Sequence, residues 1–126
     1  MNGLLLDTHA LIWWSAKSPR LSEPARAAIQ SNAGAVWVSP ASIYEADYKS
    51  RVGRIPPLPV PTLDIVNAEG LACLAINEHA AATAAAFPAS HADPFDRLIA
   101  AQAQVHGFQV ITKDPAIAAF GANTLW

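Results

Sequence analysis

The sequence predicts a three-layer α/β/α domain built on a central, mostly parallel sheet of about five strands. Three observations carry this expectation. Short continuous apolar runs, such as Leu4-Leu5-Leu6 and Val36-Trp37-Val38, have the pattern of strands buried on both faces. Segments with helical spacing and cap signals separate those runs, and strands alternating with helices call for a parallel sheet covered on both sides. Apolar residues make up 52% of the chain and charged residues 14%, a balance that suits a well-buried core and excludes disorder. With 126 residues and no internal repeat, the expectation is one domain over residues 1–126.

The elements follow in order. Leu4 to Leu6 is the first strand, ended by Asp7, and Thr8 to Trp14 reads as a helix. Ser22 caps a second helix with Pro24 in its first turn, reaching about Asn32 before Gly34 breaks it. Val36 to Ser39 is the next strand. Pro40 opens a helix to about Val52, stopped by Gly53. Within it Ala41, Tyr44, Glu45, Tyr48 and Val52 share one stripe expected to face the core, with Asp47, Ser50 and Arg51 pointing elsewhere.

Pro56 to Pro61 is a stiff extended connector, read as a structural crossover in preference to a ligand for a proline-binding domain. A short helix over Thr62 to Glu69 precedes a strand from Leu71 to Ile76. Asn77 caps an alanine-rich helix to about Ala86. Pro94 then starts a helix whose stripe is Phe95, Leu98, Ile99 and Gln102, with Asp93 as its cap. Gly107 stops it, Phe108 to Thr112 is a strand, Pro115 to Phe120 a brief helix, and Thr124 to Trp126 a final edge strand.

The net charge of −2 argues against a generally basic nucleic-acid binder but leaves room for a basic rim around an acidic site. Cys73 is alone, so no internal disulfide forms. Its apolar neighbourhood predicts a buried small side chain in a reducing compartment. Neither a signal sequence nor a membrane-length apolar run is present, so the expected location is the cytoplasm.

Four acids have awkward addresses. Asp7 and Asp114 follow strands, at the edge where open parallel sheets gather ligands. Glu45 and Asp96 project from early helical turns that begin at the same edge, and Asp96 lies beside the apolar face of its helix. A helix cap for Asp7 and an i, i+4 pair of Glu45 with Lys49 are the simpler readings. If all four converge, they repel strongly: two carboxylates about 5 Å apart cost about 3 kcal/mol at an effective dielectric near 20. Such a group protonates, spreads apart or binds a cation.

Oxygen ligands without a Cys or His cluster select Mg²⁺ or Mn²⁺ above Zn²⁺, and the fitting chemistry is phosphodiester hydrolysis. Thr8 and Thr112 are candidates for orienting water. Lys49, Arg51, Arg54, Arg97 and Lys113 are candidates for holding phosphates. His9 and His91 have no partner at metal-ligand spacing and read as structural or rim residues. Trp13 and Trp14 cannot both face the core easily, so at least one is expected to line an apolar groove for a partner or a second copy.

Leu-Leu-Leu-Asp-Thr-His-Ala-Leu-Ile-Trp (4–13) resembles the opening of PIN-domain proteins of the VapC toxin type. So do Ser-Ile-Tyr-Glu-Ala-Asp-Tyr-Lys with Gly53-Arg54-Ile55, the stretch from His91 to Ala103, and Ile-Thr-Lys-Asp (111–114). The resemblance spans nearly the whole chain. It implies a PIN-like fold and a magnesium- or manganese-dependent endoribonuclease, the toxin of a toxin–antitoxin pair that forms homodimers. It also implies that Asp7, Glu45, Asp96 and Asp114 are the metal-site acids, with Asp93 left as a cap or supporting group. Tyr44 stands where relatives commonly have Trp.

Two rival readings fit the residues less well. A haloacid-dehalogenase-like phosphatase needs an Asp two residues after its nucleophilic Asp, and position 9 is His. A catalytically silent PIN-like binding module should have lost one of the acids, and all four are retained.

Overall fold

Leu4 and Leu6 send their side chains to one face of the sheet and Leu5 sends its own to the other, and two separate cores grow from that alternation. The computed structural model describes residues 3–126. In chain order the elements are β1 (Leu4–Leu6), α1 (Thr8–Ser15), α2 (Glu23–Ser31), β2 (Val36–Val38), α3 (Pro40–Arg51) and α4 (Thr62–Ala68). There follow β3 (Ala72–Cys73), α5 (Glu78–Ala86), α6 (Pro94–His106), β4 (Gln109–Ile111), α7 (Pro115–Ala119) and β5 (Thr124–Leu125). The five strands form one sheet in the order β3-β2-β1-β4-β5, and every pairing is parallel.

One core joins Leu4, Leu6, Val36, Val38 and Ile111 to Leu11 of α1, Ile29 of α2 and Val66 of α4. The other joins Leu5 and Val110 to Ile99 and Ala103 of α6 and Ile117 of α7. This is the three-layer arrangement that the alternation of elements predicts. The chain leaves β1 for β2 and β3 on one side, then returns to β4 and β5 on the other. The carboxyl ends of β1 and β4 therefore border the point where strand order reverses, the place where open α/β sheets bind ligands. Among the described residues, no helix is long and apolar enough to cross a membrane.

Three expectations need correction. The strand foreseen over Leu71 to Ile76 shrinks to Ala72–Cys73, an edge strand paired only with β2. Cys73 is exposed there instead of buried, and Leu74 takes the buried place next to it. The stripe foreseen on α3 is also rotated. Tyr44, Tyr48 and Val52 are exposed, while Ala41, Ser42, Glu45 and Ala46 are buried. Apart from Glu45, the inner face of α3 is made of small residues where it packs on α1 and α6, and the bulky tyrosines stack on each other outside. Asp47 and Ser50 do not simply face solvent. Asp47 accepts hydrogen bonds from the Thr62 backbone N–H and hydroxyl, Ser50 accepts one from the Leu58 N–H, and both tie down the proline connector.

Candidate metal centre

Asp7, Ser39, Asp93 and Asp114 each precede a helix and cap it, and the resulting helix starts build the site. The Asp7 carboxylate accepts from Ala10 N–H at 2.8 Å, Asp93 from Phe95 at 2.9 Å and Asp114 from Ala116 at 2.9 Å. In all three the cap uses Oδ1, so the cap reading and a ligand role engage different oxygens of one carboxylate. Ser39 caps α3 and so sets the phase that points Glu45 inward. The positive ends of α1, α6 and α7 thus lie beside the acids and offset part of their charge.

The acids surround one cavity of about 110 Å³, lined by Asp7, Glu45, Asp96 and Asp114 together with Asp93, Thr8, Lys49 and Lys113. Its remaining wall is aromatic, made of His9, Trp13 and Trp126. Glu45 is nearly buried and fully engaged: Thr8 Oγ1 donates to one carboxylate oxygen, and the Lys49 ammonium meets the other. The i, i+4 pair and the site placement therefore coexist.

Burial pushes Asp7 above the usual carboxylate range. Hydrogen bonds from Thr112 and Ala10 oppose the shift, and Asp114 adds to it. Burial likewise pushes Asp96 up to about 6. A hydrogen bond with His91 opposes this, while the charges of Asp93, Asp114 and Glu45 reinforce it. Both shifts come first from burial, and neighbouring carboxylates add to them, most of all at Asp96; a divalent cation would offset both contributions.

The other candidate residues divide. Thr112 accepts from Asp114 N–H at 3.0 Å, which locks the turn between β4 and α7. Thr8 spends its hydroxyl on Glu45 and Ser42. Lys113 is exposed at the rim, its ammonium 5.5 Å from the Trp13 ring centroid. Arg51 and Arg54 are exposed further along. Arg97 is turned away from the cavity, with its guanidinium donating to the carbonyls of Phe87, Pro88 and His91. Trp13 belongs to the acid cavity, stacked on His9, whereas Trp14 lines a separate apolar groove with Ile29, Val36 and Leu71.

Sequence spacing left two neighbours of the acids unrecognised. His91 Nε2 lies 3.0 Å from Asp96 Oδ2, and Trp126, the final residue, packs edge-on against Trp13. Neither lies at a helical or strand repeat from its partner, so periodicity carries no signal for them.

Residues 4–123 match the PIN domain family model. The chain belongs to the PIN-domain family. The matched range contains all four acids. Ribonuclease VapC22 of Mycobacterium tuberculosis is 40% identical to this chain over 117 residues, covering 90% of this chain and 88% of that protein. The DNA-bound VapBC of Salmonella typhimurium superposes with a TM-score of 0.74 at 21% identity, covering 99% of this chain and 98% of that one. VapBC2 of Rickettsia felis, bound to a promoter DNA fragment, gives 0.72 at 14%, again with 99% and 98% covered. A toxin–antitoxin complex from Klebsiella pneumoniae gives 0.70 at 18%, with 98% and 97% covered. At such identities the solved structures speak to the PIN fold alone.

Proposed function

We propose that this chain is a metal-dependent endoribonuclease, the toxin of a toxin–antitoxin pair, using Mg²⁺ or Mn²⁺ held by Asp7, Glu45, Asp96 and Asp114. The observation that carries the reading is the single cavity that these four carboxylates line, in a PIN-domain chain with a ribonuclease as a substantial relative. Carboxylate oxygens are hard donors and fit a hard divalent ion. Such an ion supplies Lewis acidity toward a phosphoryl oxygen and a lowered pKa for water.

The protein side of the chemistry is positional. Asp7 and Asp114 are fixed by the sheet edge and by their own helix caps. Thr8 and Lys49 hold Glu45 in one orientation. Lys113 at the rim, with Arg51 and Arg54 beyond it, is placed to meet the phosphates of a strand entering the cavity. The whole of residues 1–126 acts as one nuclease domain on this reading, supported by two cores that share one sheet. The partners are RNA, an antitoxin and a second copy of the chain. The structurally similar toxin–antitoxin complex from Klebsiella pneumoniae supports the antitoxin, and the Trp14 groove is the proposed place for it.

The test is incubation of purified chain with a cellular RNA pool in Mg²⁺, in Mn²⁺ and in EDTA, with Asp7→Asn and Asp96→Asn beside it. Discrete fragments that require metal and both carboxylates are the expected result. Equal cleavage by the variants, or cleavage that persists in EDTA, would refute the site.

A further inference from the structure

Among the described residues, the tightest set of potential metal-binding atoms is not the four acids. It is His91, Asp96 and Asp114, whose ligand atoms all lie within 4.8 Å of one another. We propose that His91 is a direct nitrogen ligand in the metal centre, completing with Asp96 and Asp114 a mixed nitrogen–oxygen position on the flank of the acid cavity. This rests on the metal-dependent reading above and adds a ligand that a carboxylate-only site lacks.

Geometry carries the proposal. In an octahedral site with ligands at about 2.1 Å, neighbouring donor atoms are about 3.0 Å apart. His91 Nε2 and Asp96 Oδ2 are 3.0 Å apart, so one ion can take both with little movement. The Asp114 ligand atom lies within 4.8 Å of both, and a torsional adjustment of a side chain whose cap uses only Oδ1 can bring it to them. Asp96 and Asp114 also line the acid cavity, which places the His91 position and the Asp7–Glu45 side next to each other with shared carboxylates.

The imidazole is also built in, which distinguishes it from a passing surface histidine. The Arg97 guanidinium reaches back from α6 and donates to the carbonyls of Phe87 at 2.7 Å, Pro88 at 2.7 Å and His91 at 2.8 Å. Those three bonds pin the segment that leads into His91. The ring leans on Phe120, with centroids 5.7 Å apart, and Phe120 is itself stacked on Phe87 at 4.5 Å. Arg97 also lies over the Phe120 ring. The result is an imidazole held by packing and by its anchored backbone with Nε2 turned to Asp96.

An imidazole ligand has a chemical consequence that a carboxylate lacks. It favours Mn²⁺ and, more strongly, Co²⁺ over Mg²⁺, because affinity for nitrogen rises along the divalent series. The experiment is titration of the full chain with Mg²⁺ and with Co²⁺, each alone and without RNA, for wild type, His91→Ala and His91→Gln. Calorimetry reads the affinity and visible absorbance reads the Co²⁺ environment.

Both variants should lose about tenfold or more in Co²⁺ affinity and less than about threefold in Mg²⁺ affinity. The Co²⁺ absorption band should move as nitrogen leaves the coordination sphere. Nitrogen modulation in the pulsed EPR of bound Mn²⁺ should be present in wild type and absent in both variants. A parallel fall for both ions would mean that His91 only orients Asp96 through a hydrogen bond, and would overturn the proposal. Unchanged affinities would overturn it too. Wild-type chain that binds no divalent ion would instead sink the metal-dependent reading itself, so the two failures are distinguishable.

Discussion

Replacing Asp96 with Asn should stabilise the metal-free protein while removing metal binding. Asp96 holds its proton up to a pH of about 6, against a usual carboxylate value of 3.8, because burial and the charges of Asp93, Asp114 and Glu45 disfavour its ionised form. The folded chain thus binds this proton more tightly than the unfolded chain. Stability is fully present below the unfolded pKa and is lost as pH rises from about 3.8 through about 6. A shift of about two units corresponds to about 3 kcal/mol.

The Asp96 side chain keeps 17% of its surface in solvent, and screening there reduces the effect to about 1–1.5 kcal/mol. Asn preserves the shape and still accepts from His91. For a domain of this size that is a rise in Tm of about 3–6 °C. The assay is calorimetric unfolding in EDTA at pH 7.5 and at pH 4.5. The variant should melt higher at pH 7.5, and the gap should close at pH 4.5, where wild-type Asp96 is protonated. Mg²⁺ should raise the wild-type Tm and leave the variant's unmoved. A variant that melts at or below wild type in EDTA at pH 7.5 would refute the electrostatic argument.

Other perturbations probe neighbouring parts of the same design. Lys49→Met strips the buried Glu45 carboxylate of its ammonium partner; the metal-free chain should lose about 1–3 kcal/mol at pH 7.5, and Mg²⁺ should recover part of it, as denaturant titration with and without the ion would read. Arg97→Lys exchanges a planar fork serving the carbonyls of Ala85, Phe87, Pro88 and His91 for a single ammonium; hydrogen exchange should rise in residues 87–91 while the strands stay protected. In Gly3→Ala the new Cβ would meet the Phe108 ring at 2.7 Å, and with Phe108 packed into the core the expected cost is about 1–3 kcal/mol by chemical denaturation. Phe108→Leu in the same background should recover much of that loss.

Much of this molecule is written locally. Asp7, Ser22, Asn77 and Asp93, the caps that the sequence offers, each cap the helix that follows, and the structure adds Ser39 and Asp114 to them. Gly107, at φ +70°, ends α6 in the left-handed conformation that glycine adopts without strain. Period and punctuation suffice for these because a cap or a stop involves residues within a turn of each other. The gathering of Asp7, Glu45, Asp96 and Asp114 around one cavity was legible for a related reason: in a parallel sheet, every strand end and every helix start lies on the same edge.

Only the tertiary structure decided the rest. Whether α3 turned its tyrosines or its alanines inward depended on how closely α1 and α6 would approach, a distance no local pattern contains. Cys73 became exposed because β3 is the last strand on its side of the sheet, a fact of strand order. His91 met Asp96 because Arg97 gathers four carbonyls and holds the preceding loop against α6. Trp126 reached Trp13 from the far end of the chain. Sequence by itself determined the periodic elements, their caps and the edge at which the acids collect, since each follows from bonds within a few residues. Side-chain partners across loops and between layers follow from packing distances, and those exist only once the layers have closed on the sheet.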